Sequence, residues 1–432
     1  VDDIKELARV YAQDGPVYTY SQDGCNHYNN STYNYGPMYS LILATGNICK
    51  PGAGAGLSIG GGGNVANTEG ALKPKDAEGN PVQGGGRAVN WNQVHGVLQT
   101  ETLAGKPYTM KSIYVSCSNP VVCQTERQET LRVFEDVEFV VVQDMVFTET
   151  AKYADILLPA CHWFETTELA VMSRNVPYLV WQDKVIDPLY ESKPDFEIYK
   201  LIAEKMGYGE FFDMDSEDFI KLWLDSDAAR DLGITFEKLK EEKAARFLPG
   251  ETYISFEGGS FTTPSKRARF YQEKVVPSYN VGQEIDESKD KTFLYWEPAL
   301  EADVNSPARA KHPFSVCSDH LRTRTHVQWW DVEYMKEFEP YPIVRLNPED
   351  AKGLGIEEGD TVKLSNDRGF VTMIATLNAG QRPNTVSCPR SFQAGEFIDG
   401  HFSDLSFNDY NQCCANQAYN DVAVAIEKIQ VA

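Results

Sequence analysis

Three short apolar runs set the strongest constraint on how this 432-residue chain can fold. They are residues 112–117 (Ser-Ile-Tyr-Val-Ser-Cys), 137–143 (Val-Glu-Phe-Val-Val-Val-Gln) and 154–158 (Ala-Asp-Ile-Leu-Leu). Each has the length of a strand and is apolar on both faces. A helical stretch over 124–135 separates the first two, and a shorter one separates the second from the third. That alternation is the pattern of a parallel sheet covered by helices. Ligands of such sheets bind beyond the carboxyl ends of the strands. Those ends read Cys117-Ser118-Asn119-Pro120, Gln143-Asp144 and Pro159-Ala160. Polar residues therefore stand where a bound ligand would need them.

The flanking segments extend this organisation. Residues 2–13 read as a helix with Asp2 and Asp3 in its capping region. Residues 36–46 read as a buried helix stopped by Gly46. A glycine-dense loop then runs from Gly52 through Gly63 to about Gly86. It is too long for a plain connector. Glycine at that density either solvates or lets backbone approach a ligand. The loop lacks a GxxxxGK[ST] phosphate motif, and Gly54-Ala-Gly56 follows a helix, which argues against a nicotinamide fingerprint.

Residues 195–206 predict an amphipathic helix ending at Gly207, and 216–246 predict further helices. Residues 260–272 predict a strand with a Thr-Pro-Ser turn, and 280–312 a linker or long surface excursion. From 313 onward short strands dominate: 314–318, 343–346, 361–365, 369–376, 385–388 and 422–429. Their close spacing predicts a small β-barrel. Asn347-Pro348-Glu349-Asp350 opens a short helix that Gly353 and Gly355 close.

Charge and cysteine usage narrow the function classes. Forty Lys and Arg against 63 Asp and Glu leave a net charge of −23. Such a surface repels nucleic-acid backbones, although one buried phosphate site remains compatible with it. No run approaches the length of a membrane span. The nine cysteines include no CxxC, so no zinc ribbon, thioredoxin motif or ferredoxin-type cluster motif is present. Cys161-His162 and Cys413-Cys414 do not have the spacing of a tetrahedral zinc site, and buried structural thiols are the plainer reading. Arg322-Thr-Arg324-Thr-His326 is either a solvated loop or a clamp for a diphosphate. Val1 already lies in a helical pattern, so any targeting signal is expected upstream of it.

Several ordered segments together resemble the C-terminal half of a molybdopterin oxidoreductase of the dimethyl-sulfoxide-reductase superfamily. Leu43-Ala-Thr-Gly46-Asn47-Ile-Cys-Lys50-Pro51-Gly52 resembles that family's LTGNxGKPG segment. Ser118-Asn119-Pro120 resembles its GxNP strand end. Val142-Gln143-Asp144, followed by Thr148-Glu-Thr150-Ala-Lys-Tyr-Ala154-Asp155-Ile-Leu-Leu-Pro159, resembles VVxDxFxTETAxYADVVLP and is the most specific match. Lys193-Pro194-Asp195-Phe196 resembles KPDW, Thr263-Pro-Ser-Lys266 resembles TPSGK, and the run from Asn347 to Asp360 resembles NPxDAxxLGIxDGD.

The resemblance implies an α/β plus β fold. A Rossmann-like parallel-sheet domain (1–207) precedes a helical extension and linker (208–312) and a C-terminal β-barrel domain (313–432). These would grip one of two molybdopterin guanine dinucleotides that carry molybdenum. The implied contacts are specific. Cys117, Ser118 and Asn119 would meet the dinucleotide at the first strand end, where backbone N–H groups can take phosphate oxygens. Cys123 lies at a nearby contact position where some relatives carry Thr. Gln143 and Asp144 match the second strand end, where a carboxylate can accept from ribose hydroxyls. Asp195 would accept from guanine N1–H and N2–H₂. Arg322, Arg324 and His326 match a loop that reaches the pterin and phosphates. Tyr419 and Asn420 match a late segment on the pterin, with Asn420 replacing a lysine of some formate dehydrogenases.

Departures and omissions also carry information. The stretch Ile59-Gly60-Gly61-Gly62-Gly63-Asn64 lacks the arginine that some formate and nitrate enzymes carry there, which speaks against a formate dehydrogenase. The molybdenum ligand and the cysteines of a 4Fe-4S cluster are expected upstream. The expected partners are the N-terminal half of the same enzyme, a small-molecule substrate and an electron-transfer protein carrying iron–sulfur clusters. The expected chemistry is two-electron or oxygen-atom transfer, with the isolated chain inactive. Two other readings stand beside it. One is an aromatic dehydroxylase, transhydroxylase or hydratase of the same family, on the strength of Trp329-Trp330; the other is a non-catalytic cofactor-binding module.

Overall fold

The computed structural model describes residues 1–21, 24–56, 65, 88–172, 176–248, 250, 254–259, 261–271, 295–390, 392–411 and 413–430. Helix α1 (Asp2–Gln13) leads to α2 (Ser31–Ala44), and two-residue strands β1 (Tyr18–Thr19) and β2 (Gly54–Ala55) pair in parallel. Asn47 of the LATGN segment is buried and staples this region. Its Nδ2 donates to the Tyr11 carbonyl at 2.6 Å, and its Oδ1 accepts from Val17 N at 3.0 Å. Helix α2 begins five residues before the Gly36-Pro37 entry read from sequence. The extra turn is held by a tertiary contact, Thr32 Oγ1 donating to Asn411 Oδ1 at 2.7 Å. The glycine loop lies outside the described residues over 57–64 and 66–87. Val65 is buried between these stretches, and its carbonyl accepts from Ser226 Oγ at 2.8 Å.

Helix α3 (Trp91–Thr100) and the hairpin β3 (Thr102–Leu103)–β4 (Lys106–Pro107) precede the sheet foreseen in the sequence. There β5 (Ser112–Ser116), β6 (Phe139–Asp144) and β7 (Ile156–Pro159) run parallel in sequential order. Helices α4 (Pro120–Cys123) and α5 (Arg127–Asp136) make the crossover between β5 and β6. Val115, Val140 and Val142 point to one face and pack with Val121, Phe134 and Ala151. The opposite face carries α6 (Asp195–Lys205), where Tyr199 lies over Tyr114 with ring centroids 6.1 Å apart.

An antiparallel sheet of β8 (Glu168–Met172), β9 (Tyr178–Gln182) and β10 (Ala244–Arg246) follows, under α7 (Ser216–Leu224), α8 (Asp227–Asp231) and α9 (Phe236–Glu242). Two sequence expectations change here. The helical reading of 216–246 stops at Glu242, because Lys243 takes a left-handed φ of 67° and turns the chain onto β9. Residues 261–271 form turns rather than the predicted strand. Thr263 explains this: its Oγ1 donates to the Arg267 carbonyl at 2.7 Å and accepts from Arg267 N at 3.2 Å. A side chain that takes up local backbone groups removes them from a ladder.

Residues 272–294, part of the linker reading, lie outside the described residues. Farther on, Asp421 is fully buried and accepts from the backbone N–H groups of Leu300, Glu301 and Ala302 at 2.9, 2.8 and 2.9 Å. Helix α10 (Ala308–Lys311) then leads into the barrel. Its elements are β11 (Phe314–Asp319), α11 (Glu333–Lys336), β12 (Ile343–Leu346), α12 (Pro348–Leu354), β13 (Thr361–Ser365), β14 (Phe370–Leu377), β15 (Thr385–Pro389), β16 (Asp399–Gly400) and β17 (Val422–Lys428). The order β12-β15-β11-β17-β13-β14 closes through β14 pairing with β12, with β16 added beside β14. Val316, Leu346, Leu364, Met373, Val386 and Val424 fill the interior. Helix α12 has the ends its sequence promises. Asn347 accepts from Glu349 N at 2.9 Å, Pro348 occupies the first turn, and Gly355 closes the helix at φ 67°. Strands β11 and β15 are parallel and in register at Asp319 and Pro389. The segments after them, 320–332 and 390–397, therefore leave the barrel at one rim.

Candidate functional site

That rim meets the carboxyl edge of the β5-β6-β7 sheet. Cys117 and Ser118 are exposed at the end of β5, with Cys117 at φ 53°. Asn119 is only 4% exposed and its side chain is fully engaged. Its Oδ1 accepts from Thr150 Oγ1 at 2.7 Å and Thr150 N at 3.2 Å, and its Nδ2 donates to Gln393 Oε1 at 3.1 Å.

At the end of β6, buried Gln143 accepts from the Tyr114 hydroxyl and donates through Nε2 to Asp195 Oδ1 at 2.6 Å. Asp195 opens α6. The preceding Lys193 is bridged to the end of β7, with Lys193 N donating to the Pro159 carbonyl at 3.1 Å. Partial burial, then Tyr199 and Asp195, push the Tyr114 hydroxyl up to about 12, so it remains a donor. Burial raises the Asp144 carboxyl, an effect opposed by N–H groups of Met145 and Val146 and reinforced by Asp195 and Asp331. A cleft of about 940 Å³ opens beside Asp195, walled by Phe196, Tyr199, Phe212, Phe219 and Trp223.

From the barrel side, the Arg324 side chain is 0% exposed and forks onto Glu396, with Nη2–Oε1 at 2.7 Å and Nη1–Oε2 at 3.0 Å. Its guanidinium also lies 4.2 Å from the Phe392 ring centroid. Glu396 Oε2 accepts from Gln393 N at 2.7 Å. A continuous chain of contacts, Asn119–Gln393–Glu396–Arg324, thus joins the end of β5 to the 320–332 loop. On that loop Arg322 and His326 are exposed. The His326 ring meets His320 edge to face at 4.7 Å, and Trp329 meets Trp163 beyond β7 in the same way at 5.4 Å.

Asn420 is buried and tethers the 24–27 segment to β11. Its Oδ1 accepts from Ser318 N at 3.0 Å, and its own N–H donates to the His27 carbonyl at 2.8 Å. The Tyr419 ring sits between the edge of His27 at 5.2 Å and the Arg390 guanidinium at 4.3 Å. Burial pushes the Cys123 thiol up to about 11, partly offset by Arg390. A raised thiol keeps its proton through neutral pH, and the thiolate is the nucleophile. At pH 8 iodoacetamide is therefore expected to label exposed Cys25 and Cys117 well before Cys123, whose labelling should climb only as pH nears 11. Peptide mass spectrometry reads this directly, and equal rates at pH 8 would contradict it.

The structure brings Gln143 to Asp195, Asn119 to the barrel, and Cys123 and Tyr419 around Arg390, while Arg322 and His326 remain at the rim. Sequence reading missed Tyr114, Arg390, Gln393 and Glu396. The Gln-x-x-Glu spacing of 393–396 was the available signal for two of these, since it is a capping box. Among the described residues no group of three or more His, Cys, Asp or Glu is arranged to hold a metal, and no helix is long and apolar enough to cross a membrane. The donor set does suit a phosphate-bearing dinucleotide. Gln393 Nε2 is buried without a partner, and Asp195 presents a carboxylate oriented by Gln143.

Comparison with known proteins bears on the same question. The molybdopterin oxidoreductase family matches residues 18–205, and the molydopterin dinucleotide binding domain matches residues 314–425. The chain belongs to the molybdopterin oxidoreductases of the dimethyl-sulfoxide-reductase superfamily. This molybdopterin oxidoreductase is 28% identical over 356 residues to a putative catalytic polypeptide of the dimethyl sulfoxide reductase of Halobacterium salinarum, covering 78% of this chain and 41% of that protein. It is 25% identical over 437 residues to the alpha chain of the F420-dependent formate dehydrogenase of Methanocaldococcus jannaschii, covering 99% and 60%. It is 29% identical over 291 residues to trimethylamine-N-oxide reductase of Vibrio vulnificus, covering 62% and 34%. It thus spans between about a third and three fifths of the length of these relatives. Its fold is similar to that of acetylene hydratase from Pelobacter acetylenicus, with a TM-score of 0.64 at 18% identity, covering 79% of this chain and 46% of that one.

Proposed function

We propose that this chain supplies the part of a molybdenum enzyme that grips one molybdopterin guanine dinucleotide between a Rossmann-like sheet domain (1–207) and a barrel domain (313–432). The observation that carries this reading is the contact chain Asn119–Gln393–Glu396–Arg324, which fixes the two surfaces against each other. Asp195, aimed by Gln143 beside an aromatic-walled cleft, suits the N–H groups of guanine. Cys117, Ser118 and Asn119 offer strand-end backbone to phosphate oxygens. Asp144 stands at the neighbouring strand end for ribose hydroxyls. Asn119, Arg324 and Asn420 act by position: their side-chain bonds hold the strand end, the rim loop and the 24–27 segment in place.

The bound group supplies two-electron chemistry at molybdenum. The residues of this chain bind and orient it. A second dinucleotide, the molybdenum ligand and a 4Fe-4S cluster belong to the remaining length of the enzyme, and an iron–sulfur protein is the proposed electron partner. On this reading the chain alone is inactive. A second reading, an aromatic substrate, is favoured by the edge-to-face Trp163–Trp329 pair on the rim.

The test is the intact mass of the natural gene product, with molybdenum, iron and released guanine nucleotide quantified on the same sample. A product well above 48.4 kDa carrying molybdenum and guanine nucleotide is expected. A metal-free product of 48.4 kDa without nucleotide would overturn the reading.

A further inference from the structure

Arg390 follows β15 directly and is half-buried. Its guanidinium lies flat over Tyr419, 4.3 Å from the ring centroid. Among the described residues this side chain makes no hydrogen bond and no ion pair, which is unusual in so acidic a chain. Arg132, Arg230, Arg324, Arg345 and Arg368 all have carboxylate partners. A partly desolvated guanidinium held on an aromatic face keeps five N–H donors in a fixed fork. The groups around it bring no negative charge, because Cys123 and Tyr419 are both pushed upward by burial and stay protonated. Three residues on, Gln393 is 3% exposed and its Nε2 also has no partner. Cys123 N donates to the Asn119 carbonyl at 2.9 Å, and Asn119 in turn bonds Gln393, so both sets of unspent donors border the end of β5. A buried donor without an acceptor is costly unless something supplies one.

We propose that Arg390, held flat by Tyr419, is the phosphate-binding residue of this site and forks onto the diphosphate of a nucleotide-type ligand. The inference rests on the proposed dinucleotide-binding function and gives its anionic end a residue. A planar fork matches two phosphate oxygens at once, which a lysine cannot reproduce.

The experiment is calorimetric titration of the full natural protein, produced without molybdopterin cofactor, with GDP and separately with guanosine. Arg390→Ala is expected to weaken GDP by about tenfold to a hundredfold, the scale of a charged hydrogen bond, and to leave guanosine unchanged. Arg390→Lys should recover only part of the loss. Should Arg390→Ala fail to fold by its thermal transition, the same comparison on Arg390→Lys decides. GDP weakened with guanosine unchanged supports the assignment. GDP and guanosine weakened equally, or neither weakened, overturns it while leaving the dinucleotide reading intact. Wild-type protein that binds neither ligand removes that reading and this assignment together.

Discussion

Arg324→Ala is expected to lower the unfolding free energy by about 3–5 kcal/mol, the range for removing one partner of a buried ion pair. The cause is what remains. Glu396 would keep its charge at 19% side-chain exposure with no guanidinium in front of it, and Phe392 would lose the stacked group. Residual solvent at Glu396 places the effect toward the lower end of that range. The paired variant Arg324→Ala with Glu396→Ala should cost less than the sum of the singles, because it leaves no stranded carboxylate. Urea unfolding of the cofactor-free protein measures all three. Hydrogen exchange over 320–332 should rise in Arg324→Ala, since that loop loses its anchor. A single variant within about 1 kcal/mol of wild type would show that the pair is not buried as described.

Asn119→Ala is the second large effect. It strips an acceptor from Thr150 N and Thr150 Oγ1 and a donor from Gln393 Oε1, all in a buried setting. Each unsatisfied buried group costs about 1–3 kcal/mol, so a loss of at least about 3 kcal/mol is expected. The loss should be as large without cofactor as with it, because every partner is protein. Thermal unfolding of the apo-protein is the measurement. A loss that appears only in cofactor-loaded protein would instead make Asn119 a ligand contact.

The elements legible in the sequence were those whose pattern is local. Val140, Val141 and Val142 announce a doubly covered strand, and Asn347-Pro348 with Gly355 announces both ends of α12. The β8–β9–β10 sheet was not legible, because its last strand lies more than sixty residues beyond the first two and hides behind helices that read correctly. The strand expected at 261–271 failed because a single threonine hydroxyl captured the backbone. In the site, the strand-end rule found Gln143 and Asp144 on the parallel sheet. Applied to β15 it would also have pointed at Arg390. Contacts such as Asn119–Gln393, 274 residues apart, and Arg324–Glu396, 72 apart, depend on how the barrel rim is set against the sheet. No local spacing encodes that.

The place of β17 has a consequence for the order of events during synthesis. It is the last strand of the barrel in the chain, yet it lies in the sheet between β11 and β13. A ribosome therefore releases all the other barrel strands before the one that joins them. Until Val422–Lys428 emerges, β11 and β13 each present an open edge, and Asp421 is not yet there to hold the backbone at 300–302. Open edges of this kind invite pairing with other chains. Nascent chains stalled before Asp421 are the ones a cell would need to shield.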